Sequence, residues 1–200
     1  MTRRIFATLV LTLALAAGAS AQAEPWVIDR AHSSAGFAVR HLGVSTVRGS
    51  FTNITGTINI DDKNLSNSTV DVTIDATTVN TANENRDKHL KSADFFDVEK
   101  YPTMTFKSKK VESLGGGRLR VLGDFTLHGV TKEVALDVEN LTPATNMPRG
   151  GPKRGASATT KINRREFGLV WGTITEGIAQ VGDDVTITID LELAKPRPAQ

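Results

Sequence analysis

Histidine is the side chain best placed to move a proton near neutral pH, and the chain carries four, His32, His41, His89 and His128. They fall in four separate local patterns, and no spacing sets two of them on one strand or helix face, so a zinc site is not indicated. His89 follows Asp87 by two positions on a segment with helical character, and residues two apart on a helix diverge, so that carboxylate cannot orient the imidazole as a base. Arg86 is within reach of His89 or Leu90 and suits a structural contact. Ser33 and Ser34, in HSSAGF, lack the first glycine of a nucleophile elbow, and neither a phosphate loop nor a dinucleotide fingerprint occurs. There is no cysteine, which removes thiolate chemistry, thiolate metal sites and disulfides together. The catalytic reading that remains is a small hydrolase or isomerase using His32 or His41, the latter sharing parity with Phe37 and Val39.

The elements that would position these residues are strands. Apolar residues recur with period two along nearly the whole chain, which assigns each run an inward face. The inward sets are Phe37 and Val39; Ile54, Ile58 and Ile60; Val70, Val72 and Ile74; Met104 and Phe106; Leu119, Val121, Phe125 and Leu127; Val134, Leu136 and Val138; Phe167, Leu169 and Trp171; and Val185, Ile187, Ile189, Leu191 and Leu193. The opposite faces are polar, as in antiparallel sheets with one dry side. His128-Gly129 sits between two such runs as a tight hairpin turn, which makes His128 a turn residue rather than a ligand. Eight or nine strands hide their edges in a barrel or a sandwich, and the pattern leaves both open. A barrel of about eight strands lies between an interior filled by side chains and one that holds a small ligand.

Three stretches break the pattern. NENRDKHLKSADFFDVEKYPTMTF, residues 83–106, reads as a short helix with Thr81 and Glu84 as a capping box, supported by Glu84–Lys88 and Asp87–Lys91 pairs, and ended before Pro102. Leu90, Phe95 and Phe96 have no place on a solvated helix, so they fold back as a gate over a ligand space or a cover over one end of a core. TPATNMPRGGPKRG, residues 142–155, reads as a mobile connector, with Arg149, Lys153 and Arg154 offering the alternative of a contact for anionic lipid headgroups. Residues 1–23 combine Arg3 and Arg4, an apolar run and the small-x-small ending Ala21-Gln22-Ala23, which is the pattern of a cleavable secretory signal peptide. The domain then spans 24–200. The whole chain has 24 Lys and Arg against 22 Asp and Glu, and loss of Arg3 and Arg4 balances them. No basic stripe for nucleic acid is present.

The segments WVIDRAHSSAGFAVRH, VRGSF, RDKHLKSADFFDVEKYPTMTF, GDFTLHGVTK and INRREFG, in this order, resemble the YceI-like family of periplasmic proteins across most of the expected mature chain. The resemblance implies an all-β fold, a closed antiparallel lipocalin-like β-barrel of about eight strands with a short helix near one end. It also implies a binding or carrier protein, without cofactor, metal or catalytic group, that holds a polyisoprenoid or other long apolar chain in the lumen and associates as a homodimer. The ligand-binding set is then Phe37, Val39, Ile58, Ile60, Val72, Ile74, Leu90, Phe95, Phe96, Met104, Phe106, Phe125, Leu127, Leu136, Phe167 and Trp171. A structural protein with a filled core is the third alternative beside the carrier and the enzyme. Because the small-x-small ending precedes Glu24, N-terminal sequencing of exported protein is expected to start at Glu24; an intact Met1 there would refute the cleavage.

Overall fold

The computed structural model describes residues 23–196 except 173, 176 and 177; the expected signal peptide therefore lies outside the described residues apart from Ala23. The elements run β1 (Glu24–Ile28), β2 (Ser34–His41), β3 (Ser45–Phe51), β4 (Ile54–Ile60), β5 (Thr69–Asp75), α1 (Glu84–Lys91), β6 (Thr103–Gly115), β7 (Arg118–Leu127), β8 (Val130–Glu139), β9 (Thr145–Met147), β10 (Gly151–Asn163), β11 (Ile174–Thr175), β12 (Ile178–Ala179) and β13 (Val181–Ala194). Strands β1, β4, β5, β6, β7, β8, β10 and β13 pair in that circular order, all antiparallel, and Val27↔Ala194 and Ile28↔Leu193 close the ring. Of the barrel and sandwich that the strand pattern left open, the fold is the closed antiparallel barrel that the resemblance implies. Beyond β1, the same edge of β13 continues with β2, and β3 pairs outside β2; a single bridge, Ser50↔Asn80, links β3 to the segment leading into α1.

The alternation places side chains as the period requires, and where it falters there is a local cause. On β4 the inward row skips Gly56, whose φ is +141° and whose Cβ position would meet the Asp71 carbonyl at 2.2 Å; only glycine lets the two backbones approach so closely. On β6 the register slips between Ser108 and Lys110, so that Met104 and Phe106 are followed inward by Val111 rather than by an even-numbered residue. His128 and Gly129, with φ of 52° and 74°, make the hairpin turn between β7 and β8.

Four expectations need correction. The helix cap is Asn83, which accepts from Arg86 N–H at 3.0 Å, not Thr81. Thr81 is instead buried, donating to Asp87 Oδ1 and accepting from Arg86 Nε at 2.7 Å. That network turns Asp87 and Arg86 back toward the barrel, and neither Glu84–Lys88 nor Asp87–Lys91 forms among the described residues. The 142–155 stretch is not a free connector, since β9 and the start of β10 form a hairpin there. Finally, FGLVWGT is not a strand. Asn163 caps a 3-10 turn over Arg164–Phe167, and Gly168 at φ 79° ends it, so the inward parity read for Phe167 and Trp171 does not apply.

Arg164 holds that irregular segment in place. Its buried guanidinium donates to the Leu169, Val181 and Gly182 carbonyls and to Asp183, so one side chain satisfies backbone groups from both sides of the 165–181 excursion. Arg164→Ala is expected to lower stability by about 1 to 3 kcal/mol in urea denaturation, because the Leu169, Val181 and Gly182 carbonyls lose their donor while half-exposed Asp183 keeps Arg165. Arg164→Lys should recover less than half of the loss, since an ammonium lacks the planar fork that spans these acceptors.

Candidate functional site: the barrel lumen

The interior of the barrel is not filled. A cavity of about 210 Å³ runs along it, with an apolar wall throughout. Its shape follows from side-chain size. On β10 the inward positions are Ala156, Ala158, Thr160 and Ile162, and all four line the cavity; the first three reach little way across the lumen. Facing strands keep ordinary aliphatics, yet Val134, Leu136, Val185, Ile187 and Ile189, inward by register, are only half-buried, whereas Ile54, Ile60, Leu119 and Val121 are buried. A filled core would bury all of them alike.

Of the residues assigned to ligand binding from sequence, Phe37, Val39, Ile58, Ile60, Val72, Ile74, Leu90, Phe95, Phe96, Met104, Phe106, Phe125, Leu127 and Leu136 line this cavity. Phe167 and Trp171 do not. Phe167 is buried behind the wall, edge-on to Phe125 at 5.5 Å. Trp171 packs instead edge-to-face with His89 at 4.9 Å and tilted against Phe95 at 5.0 Å. Strand β10 was not legible as a strand, because small and hydroxylated residues on its inward face hide the alternation; its eleven-residue pairing with β13 supplies what its own hydrophobicity does not.

One end of the lumen is covered by the segment that interrupts the strands. Leu90 and Phe96 fold onto the core, Phe96 meeting Phe51 edge-on at 5.5 Å. His89, at the C-terminal turn of α1, contacts Asp94 through Nε2 at 2.8 Å and packs against Phe95 at 5.1 Å. Its carboxylate partner lies beyond the helix, so a search along the helix alone could not find it. The other end is stopped by the 3-10 turn Leu65–Asn67, where Asp61 accepts from Lys63, Asn64 and Asn67.

Residues 26–193 match the YceI-like domain. The chain belongs to the YceI-like family. Among its relatives, a UPF0312 protein of Vibrio parahaemolyticus is 42% identical over 171 residues, covering 84% of this chain and 89% of that protein. The crystal structure of the Campylobacter jejuni YCEI protein is 34% identical with a TM-score of 0.67, covering 79% of this chain and 90% of that one. A domain of Saccharophagus degradans, described as polyisoprenoid-binding and implicated in plant cell wall breakdown, shares the fold at 15% identity, with a TM-score of 0.63 over 87% of this chain and 99% of that one.

Of the ionisable groups among the described residues of this YceI-like barrel, Arg164 lines the lumen, and a cluster of others lies outside it. Asp29, His32 and Glu192 bring ligand atoms within 4.8 Å of one another, a cluster missed from sequence because Glu192, on β13, is far along the chain from the turn that holds Asp29 and His32. Lys153 sits among them, 2.7 Å from Asp29 Oδ2 and 2.8 Å from Glu192 Oε1, so a cation would have to displace an ammonium already paired with both carboxylates. Arg154, buried, binds Asp62 and lies 4.9 Å over the Trp26 ring. Lys153 and Arg154 are therefore bound within the protein rather than offered to headgroups. Neither His32 nor His41 lines the cavity.

The hydrogen bond from Lys153 is the chief cause that holds the Asp29 carboxyl at about 2, against 3.8 ordinarily, with Ala31 N–H and His32 assisting. A depressed carboxylate stabilises the fold above its unfolded pKa and loses that contribution as pH falls through the folded one. Asp29→Asn should therefore be less stable than wild type at pH 7, with the difference shrinking between about pH 4 and pH 2. Urea titrations at stepped pH would read this, and a constant difference down to pH 2 would contradict it.

Proposed function

We propose that the protein is a periplasmic carrier that holds one long apolar chain, a polyisoprenoid, a prenylated quinone or a fatty-acid amide, in the barrel lumen and performs no covalent chemistry on it. The observation that carries this reading is the apolar cavity of about 210 Å³. At about 24 cal/mol per Å³, an empty hole of that size costs about 5 kcal/mol, comparable to the lower end of the total stability of a domain, about 5 to 15 kcal/mol. An apolar passenger restores the lost contacts at about 0.8 kcal/mol per buried methylene. Polar chemistry inside would require polar groups facing the lumen, and the histidines of the enzymatic alternative stand outside it. The fold shared with a polyisoprenoid-binding domain supports the choice of passenger class, and the leader-like residues 1–23 support the compartment.

The eleven paired residues of β10 and β13, tilted as barrels require, give a lumen roughly 25 Å long. A long prenyl chain must bend within it or protrude. Half-burial of the β8 and β13 rows places the free space against the β10 wall, which makes Ala158 the position to test. Ala158→Phe should fold with near wild-type stability, because its ring enters space that is already vacant, and should purify without the apolar molecule that mass spectrometry of organic extracts finds in wild type. In a filled core the same change would overpack and cost about 1 to 3 kcal/mol. A wild type that yields no extractable apolar molecule and binds none, together with a destabilised Ala158→Phe, would overturn the carrier reading.

A further inference from the structure

The barrel end that carries α1 also holds apolar side chains in solvent. Val44 is 79% exposed, Val170 59% and Leu42 45%. Leu42 and Val44 form the tip of the β2–β3 hairpin, and Val170 follows the cavity-lining Leu169. The two segments are tied to each other. Leu42 N–H donates to the Gln180 carbonyl at 3.1 Å, His41 pairs with Val181, and Arg164 binds the Val181 and Leu169 carbonyls. Val39, Leu169 and Val181 line the lumen, so the exposed residues ring the same end of the cavity. Leu114 and Met147, also exposed, lie at the opposite end, near the Leu65–Asn67 stop.

The hairpin tip is not what folding alone would select. Leu42 has φ 49° and Gly43 φ 68°, and the first left-handed position of such a turn favours asparagine or aspartate. A leucine there forgoes backbone preference and burial together. Arg40 braces the turn, donating to Thr46 Oγ1 at 2.9 Å and to the Gly43 carbonyl. Arg40 and Arg48 both lie on the outer face of the hairpin, exposed, and neither forms an ion pair among the described residues.

We propose that this rim docks the protein on an anionic bilayer surface, with Leu42, Val44 and Val170 entering the acyl boundary and Arg40 and Arg48 meeting phosphate headgroups. The inference rests on the carrier reading, to which it adds the place where an apolar passenger passes between lumen and membrane without crossing water. A second copy of this chain fits less well, because three side chains on a protruding tip fall far short of the roughly 800 Å² per partner of a stable interface. A bilayer accepts a few inserted apolar groups joined to basic ones.

Flotation with vesicles of phosphatidylglycerol and phosphatidylethanolamine, against vesicles of phosphatidylcholine alone, tests the surface. Wild type should float with the anionic vesicles and less so as salt is raised. The Leu42→Asn/Val44→Thr variant, whose asparagine suits the turn, should lose at least about tenfold in vesicle affinity, while binding of the apolar dye N-phenyl-1-naphthylamine stays unchanged, since neither residue lines the lumen. Equal flotation of variant and wild type would overturn the docking surface and leave the carrier reading intact. So would a variant that changes only its mass by light scattering, which would assign the tip to contact between copies. Flotation that depends on the tip, in a protein that takes up neither dye nor extractable lipid, would sink the carrier reading instead and uphold the surface.

Discussion

Side-chain volume on β10 is the constraint from which the rest of this structure follows. An eight-stranded barrel has an interior that ordinary inward residues can just fill, and β10 contributes Ala156, Ala158 and Thr160 where larger groups would be needed. The aliphatic rows of β8 and β13 are left half-buried on their inward faces, and a cavity remains. Close packing is the rule in protein interiors, so a shortage concentrated along one strand, beside a wall whose buried guanidinium, Arg164, is taken up by backbone carbonyls, marks a space kept for something apolar.

Keeping such a space requires that the wall stand without a packed centre. The ring is continuous, so backbone donors and acceptors are met strand to strand, and the long β10–β13 ladder carries the wall that packs least. Where the chain leaves the ladder, single polar side chains substitute for it. Arg164 gathers carbonyls on both sides of the 165–181 excursion, and Asp61 organises the turn at the opposite end. Lys153 of β10 pairs with Asp29 and Glu192, and Arg154 with Asp62, while the guanidinium of the lumen-lining Arg164 is taken up by the Leu169, Val181 and Gly182 carbonyls and by Asp183, so these charges are compensated by protein groups.

The covering segment shows how a helix too polar to be a core element still closes a barrel. α1 buries no residue fully; its contribution is made by Leu90 and by the phenylalanines beyond it, which reach back over the lumen. Thr81, Asp87 and Arg86 fasten its start and the His89, Phe95 and Trp171 rings its end. Beside it stands the hairpin tip with Leu42 and Val44 in solvent, so the covered end of the cavity also carries exposed apolar side chains.

What the sequence by itself determined is local. Period-two alternation sets which side of a strand is dry, and it placed Phe37, Val39, Phe106, Phe125 and Leu136 on the cavity wall because parity depends only on neighbouring residues. It also marked the His128-Gly129 turn and the foreign character of residues 83–106. Parity failed at Phe167 and Trp171, where Asn163 and Gly168 replace the strand with a 3-10 turn held by a distant partner, and it was silent on β10, whose small residues carry no alternation to read. The tertiary structure alone decided the ring closure of β1 on β13, the vacancy beside β10, the pairing of His89 with Asp94 and the meeting of Asp29, Lys153 and Glu192. Each of these depends on residues brought together by the path of the chain through space, and no periodicity within one element encodes that distance.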